Sequence, residues 1–125
     1  MKPTHINQEK IEAYLEAGHW SRGTMVECYT TYAQDFPDKV ACRDAETEFT
    51  WRQLNEITTR IAANLISLGL QRDARVLVQI PSSSREMVLR MALKKAGILG
   101  CFVPMQWRRR EVAGAQRDAH ALRNV

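Results

Sequence analysis

The residues best suited to chemistry are three consecutive hydroxyls, Ser82, Ser83 and Ser84, in the run Ile80-Pro81-Ser82-Ser83-Ser84-Arg85-Glu86. They stand where an apolar strand pattern gives way to a helical one. The free N–H groups and dipole at a helix start attract anions, so this turn could hold a phosphate weakly. The same serines can instead cap the helix. Capping is the expectation, because neither G-x-x-x-x-G-K-[ST] nor G-x-G-x-x-G occurs in the chain. Nucleophilic catalysis would need a Ser or Cys beside a His and an orienting acid. His5, His19 and His120 lie toward the chain's margins. None falls at the C-terminal end of an expected sheet strand, where α/β proteins place their chemistry, and all three are expected in solvent. No pair of His or Cys has zinc spacing. Asp35, Asp38, Asp44 and Glu46 fall in turns, where aspartate is a turn former before it is a catalyst.

Cys28, Cys42 and Cys101 are far apart, form no C-x-x-C and sit in apolar patterns. Buried free thiols of a reducing cytosol are therefore expected. Near the end, Trp107-Arg108-Arg109-Arg110 precede Arg117 and Arg123. An aromatic beside arginines can stack a base and neutralise phosphate. A solvated helix face, with arginine stems over the ring, is the expected alternative, and nucleic acid is not the expected partner.

Composition bounds the rest. The chain has 125 residues, 45% apolar and 26% charged, with a net charge of +4. That fits one modest globular domain and is too short for a large two-domain enzyme. The opening MKPTHINQEKIEAYLEAGHW lacks the apolar stretch of a signal peptide. No apolar run approaches the roughly 18–20 residues of a membrane span. A cytoplasmic location is the expectation.

The elements that must position these residues follow from local pattern. The spacing predicts a first helix from Gln8 to Ala17, stopped at Gly18, with Ile11, Tyr14 and Leu15 on one side. A linker leads to a second helix from Thr24 to Asp35. Thr24 and Glu27 fit a capping box, Met25, Cys28, Tyr29, Tyr32 and Phe36 share a face, and Pro37 ends it. Two short strands, in KVACR and TEFT, flank Asp44-Ala45-Glu46 as a hairpin, with Val40 and Cys42 on one face. Thr50 and Gln53 form a second capping box. The helix it opens carries the stripe Leu54, Ile57, Ile61, Leu65 and Leu68 up to Gly69. Trp51 is expected to pack between that helix and the strand end. Val76 to Ile80 reads as a strand covered on both faces, ended by Pro81. Ser83 with Glu86 predicts a third capping box for a helix to Ala96, with Met87, Val88, Met91 and Ala92 apolar, stopped at Gly97. Ile98 to Val103 reads as a second buried strand before Pro104. Strand, helix and strand with such short connections make a right-handed βαβ unit and a parallel sheet. A last helix is expected from Arg109 to Leu122, with Gly114 inside it.

The order of these pieces resembles the N-terminal part of the adenylate-forming enzymes: acyl- and aryl-CoA synthetases, peptide-synthetase adenylation domains and luciferases. The residues that carry the resemblance are Pro37-Asp38-Lys39-Val40-Ala41, Thr50-Trp51 with Leu54, Ala62-Ala63-Asn64-Leu65 and Leu68-Gly69. They continue with Arg75-Val76 and Pro81, Ala92 with Lys95-Ala96-Gly97, Val103-Pro104, and Arg110-Glu111. The resemblance spans Gly18 to Val112, and the opening YLEAGHW is similar to members acting on aryl or alicyclic acids. It implies an α/β fold: a partial N-terminal subdomain with helices flanking a mostly parallel sheet and a small β-hairpin. It also implies a reaction in which a carboxylate and ATP, with Mg²⁺, give an acyl-adenylate and pyrophosphate, after which a thiol such as coenzyme A takes the acyl group.

Two turns depart from the family pattern. The family has Gly-Asp before the Arg-Val strand, where this chain has Asp73-Ala74, and Pro-Asn after it, where this chain has Pro81-Ser82. The larger departure is absence. The Ser/Thr/Gly-rich phosphate loop with its lysine, the acidic ribose-binding residue, the arginine hinge and the C-terminal domain with its catalytic lysine have no counterpart in this sequence. No catalytic, cofactor-binding or metal residue is therefore assigned to any position. The expectation is a helix and linker over 1–23 and an incomplete N-terminal α/β portion of an AMP-binding ligase over 24–125. This chain alone is expected to hold no ATP, Mg²⁺ or CoA and to be inactive. The rival expectation is a non-catalytic module that pairs with another chain through open sheet edges.

Overall fold

Short-range capping starts the helices. In the computed structural model, which describes residues 6–121, the element order is α1 (Gln8–Glu16), α2 (Met25–Asp35), β1 (Val40–Arg43), β2 (Glu48–Thr50), α3 (Trp51–Ser67), β3 (Arg75–Val78), α4 (Ser84–Lys95), β4 (Leu99–Phe102) and α5 (Arg109–Ala121). Thr24 and Thr50 both make the full reciprocal box: the hydroxyl accepts from the third helical N–H, and the Glu27 or Gln53 side chain accepts from the cap's own N–H. Ser83 makes only half of one. Its hydroxyl accepts from the Glu86 N–H at 3.4 Å, but the Glu86 carboxylate turns away to Arg90, whose Nε donates to it at 2.7 Å. The charged partner one turn on outcompetes the neutral backbone donor. The expected end of the last helix, Leu122, lies outside the described residues, as do His5 and Arg123.

α4 is the spine of the core. Val88 and Met91 close one cluster with Leu54 of α3, joined by Tyr29, Ala41, Cys42, Phe49 and Trp51. Leu93 closes a second with Val78 and Ile98, joined by Leu65, Val76 and Phe102. Each fully buried side chain of this size contributes roughly 1.5–3 kcal/mol. Trp51 packs on α2, its ring against Tyr29 and Tyr32 at centroid separations of 6.0 and 5.1 Å, a partner that its expected place between α3 and the strand end did not include. The stripe on α3 is narrower than its pattern. Leu54, Thr58 and Ala62 are buried, whereas Leu68 is 80% exposed, because the packed face has turned away by the last residues of the helix. Lys95 fastens the far end of α4 to α3: its ammonium donates to the Asn55 carbonyl, the Asn55 side-chain oxygen and the Thr59 hydroxyl, at 3.0, 2.6 and 2.9 Å. Burial there lowers the Lys95 pKa.

The strands form two small sheets. β1 and β2 pair antiparallel with a bulge: Val40 stands opposite Thr50 and Cys42 opposite Phe49, leaving Ala41 extra. A bulge breaks the period of two. Val40 is accordingly exposed while Ala41 and Cys42 both reach the core, so the expected shared face of Val40 and Cys42 is not formed. β3 and β4 pair in parallel around α4, with Leu77 opposite Cys101 and Val78 opposite Phe102. Alternation turns Val76, Val78, Gly100 and Phe102 toward α4. Gly100 is needed there, since a Cβ would meet Phe102 Cε2 at 2.7 Å and Leu93 Cδ1 at 2.8 Å. The other face bears Leu77, Leu99 and Cys101. The expectation of strands covered on both faces fails at this point: Leu99 is 53% exposed, and Cys101 is exposed as well. Cys28 is also exposed, so of the three thiols expected to be buried only Cys42 is even half-buried.

Candidate functional site

Parallel strands end at the same side, and here the turn that follows β3 meets the hairpin turn. The turn Ile80–Ser83 separates two shallow grooves. One, of about 530 Å³, is lined by Asp44, Glu46, Thr47, Ile80, Ser82 and Arg85 among others. The second, of about 400 Å³, lies over Glu86, Arg90, Phe102 and Pro104. Along its floor the Arg90 guanidinium sits 3.7 Å from the Phe102 ring centre. The Gln79 amide donates to the Pro104 and Trp107 carbonyls at 3.0 and 2.9 Å, which holds the chain after β4 against the end of β3.

Asp44 does more than form a turn. Its Oδ1 accepts from the backbone N–H groups of Glu46 and Thr47, at 2.9 and 2.8 Å, and from the Thr47 hydroxyl at 3.0 Å. Its Oδ2 accepts from the Ser84 N–H, the first of α4, at 2.8 Å. The Thr47 and Ser84 hydroxyls bond each other at 2.6 Å. These donors hold the Asp44 carboxyl well below the usual carboxylate range, the Ser84 backbone most strongly. The hairpin turn and the start of α4 thus meet at one carboxylate.

The other residues singled out by type do not converge. His19 is exposed and lies edge-on to Tyr14 at the end of α1, far in sequence from both grooves. His5 and the His120 side chain lie outside the described residues. Asp35 and Glu46 are exposed, and Asp38 pairs with Arg52 on the surface at 3.2 Å. Trp20 packs on Tyr14, at a centroid separation of 4.9 Å. Trp107 is 39% exposed, next to the exposed Arg108, Arg109 and Arg110. Among the described residues, no group of three or more His, Cys, Asp or Glu could hold a metal ion, and no helix is long and apolar enough to cross a membrane. Sequence reasoning missed the joining of Asp44 to Ser84. The D-x-x-T spacing of Asp44 and Thr47 signals the local turn, but nothing local signals a contact across 40 residues.

The fold is an α/β arrangement with one βαβ unit, a hairpin and its helices, the architecture of the N-terminal subdomain of adenylate-forming enzymes. The model of the family described as "AMP-binding enzyme" matches residues 29–122, and the chain belongs to that family. It is 35% identical to a salicylyl-CoA synthase / salicylate adenylyltransferase of a Streptomyces species, over 73% of this chain and 16% of that one. It is 29% identical to the 2,3-dihydroxybenzoate-AMP ligase of Bacillus subtilis, over 83% of this chain and 19% of that one. Among solved structures it resembles apo MbtA of Mycobacterium smegmatis, with a TM-score of 0.76, 31% identity, and coverage of 84% of this chain and 20% of that chain. The chain therefore spans less than a fifth of the length of these two curated relatives.

Among the described residues no group of side chains is placed to hold a metal ion, and none is assigned to ATP, Mg²⁺ or CoA, which the family implies. At the turn after β3, Asp44 already holds the first N–H of α4. The adjoining groove offers two carboxylates, Asp44 and Glu46, against the one guanidinium of Arg85. No step through these groups is derived from this chain.

Proposed function

We propose that residues 24–125 are the incomplete N-terminal α/β portion of an AMP-dependent ligase acting on an aromatic carboxylic acid, preceded by a helix and linker over 1–23. The observation that carries this reading is the family match over residues 29–122, together with relatives named for salicylate and 2,3-dihydroxybenzoate. In the full-length enzyme the acid, ATP with Mg²⁺, and a thiol such as that of CoA would be the reactants, in the cytoplasm. The 125-residue portion is scaffold. Its helices and strands supply packing surfaces, and none of its described residues is assigned the stabilisation of the charge that develops on a transferring phosphoryl or acyl group.

The test is ATP–pyrophosphate exchange dependent on salicylate or 2,3-dihydroxybenzoate. The 125-residue chain should give none, and the same chain extended by its downstream coding sequence should give exchange with aromatic acids. Exchange by the 125 residues alone would overturn the inactivity. Exchange by the extended chain with fatty acids but not aromatic ones would overturn the substrate class.

A second reading, a module that pairs with another chain, is favoured by one observation: the face of β3–β4 away from α4 carries the exposed Leu99 and Cys101. Protection of the Cys101 thiol on association tests it.

A further inference from the structure

Two helices of this chain break the same electrostatic rule in opposite senses. A helix favours anions at its N-terminus and cations at its C-terminus. α1 ends on Glu16 with no basic residue in its last turn, and Glu9, Glu12 and Glu16, spaced by three and four, form one acidic stripe. α5 opens on Arg109 and Arg110, with Arg108 just before them and Glu111 as the acid of that turn. Glu16 and the arginines thus each oppose the dipole of their own helix. Among the described residues, ion pairs join Arg43 to Glu48, Arg52 to Asp38 and Arg90 to Glu86, and none of these relieves either cluster. α1 also lacks a packed face. It has nine residues, none of them buried, whereas isolated helices shorter than roughly 12–15 residues are marginal in water. Tyr14 and Trp20 at its end are both 42% exposed. The start of α5 is fixed on the core, since the Gln79 amide donates to the Trp107 carbonyl at 2.9 Å, and Met105 and Trp107 stand exposed beside its arginines.

We infer that the acidic stripe of α1 docks on the arginines that open α5 in a second copy of this chain. The charges are complementary. Docking sets carboxylates at a helix N-terminus and arginines near a helix C-terminus, where each is favoured. Exposed aromatic residues flank both patches, and such residues, with Met and Arg, are enriched in interfaces. Each copy carries both patches, so two copies can make the contact twice. The contact uses neither β3 nor β4, and it stands or falls independently of whether the full-length protein adenylates an aromatic acid.

Sedimentation equilibrium of the 125-residue chain, over a range of concentrations and of salt, tests the contact. The wild type should self-associate at low salt and dissociate as salt screens the charges. Glu12→Arg/Glu16→Arg and Arg109→Glu/Arg110→Glu each reverse one patch. Either should weaken association at least about tenfold, because like charges then face each other. Both reversals agree with the dipole of the helix that carries them, so helix content by circular dichroism should not fall. Mixed in equal amounts, the two variants should associate with each other, since every reversed patch then meets its complement. A wild type that stays monomeric at low salt overturns the contact. So do variants that associate as well as the wild type, or a mixture that does not recover. Should a reversal cost helix content, Glu12→Gln/Glu16→Gln removes the charge alone, and undiminished association of that chain overturns the contact equally. Single-stranded nucleic acid is the rival occupant of the arginines. A monomeric wild type that binds a labelled oligothymidylate, with binding lost in Arg109→Glu/Arg110→Glu, would overturn the second copy in favour of a nucleic-acid strand.

Discussion

Asp73 holds φ at +63°, in the left-handed region, and its N–H donates to the Gly97 carbonyl at 2.8 Å. That backbone costs an ordinary L-residue roughly 1–2 kcal/mol, and aspartate is among the few that tolerate it. The family resemblance places glycine at this position, before the Arg75-Val76 strand. The fold has therefore kept its demand for a left-handed residue where this chain no longer carries glycine. Asp73→Gly should relieve the strain and stabilise the chain by up to about 1 kcal/mol, since glycine's greater freedom when unfolded offsets part of the gain. Asp73→Val, branched at Cβ, should destabilise it. Urea unfolding of the three chains checks both directions. A glycine variant less stable than the wild type would mean that the Asp73 side chain matters more than its backbone angle.

At the scale of elements, what sequence made legible was whatever is encoded within about one helical turn. The Thr24 and Thr50 caps, the Gly69 and Gly97 stops and the hairpin turn at Asp44 all stand as read, because each depends on residues a few positions apart. Ser83 is the instructive case. Serine and glutamate are correctly spaced, but Arg90 stands one turn beyond Glu86 and takes the carboxylate. The two capping modes should separate energetically. Thr50→Ala removes a hydroxyl from a closed reciprocal box and should cost about 1 kcal/mol. Ser83→Ala should cost less, because its box is only half closed, with Glu86 held by Arg90, and Asp44 holds the neighbouring Ser84 N–H independently. Chemical denaturation of both variants gives the comparison, and a larger loss for Ser83→Ala would contradict this account of the α4 start.

At the scale of the whole molecule, sequence could not say which faces find partners. Val76 to Ile80 and Ile98 to Val103 are both apolar enough for doubly covered strands, yet coverage depends on elements packed against them, and α4 covers only one side. The tie from Asp44 to Ser84 and that from Lys95 to Asn55 each bridge 40 residues, beyond the reach of any periodicity. Among the described residues this two-stranded parallel sheet leaves Leu99 and Cys101 exposed on one face, whereas parallel sheets are normally buried on both sides. The cysteines report on this directly. In the isolated folded chain, Cys28 and Cys101, both exposed, should react quickly with a thiol reagent. Cys42 should react slowly, because burial, assisted by the Asp44 charge, pushes its pKa up and leaves less thiolate. If the bare face takes up another polypeptide, whether a second copy at high concentration or a relative lacking its own N-terminal fifth, Cys101 should become protected while Cys28 keeps its rate. Association that leaves Cys101 as reactive as before would remove this face as the site of pairing, whatever the affinity.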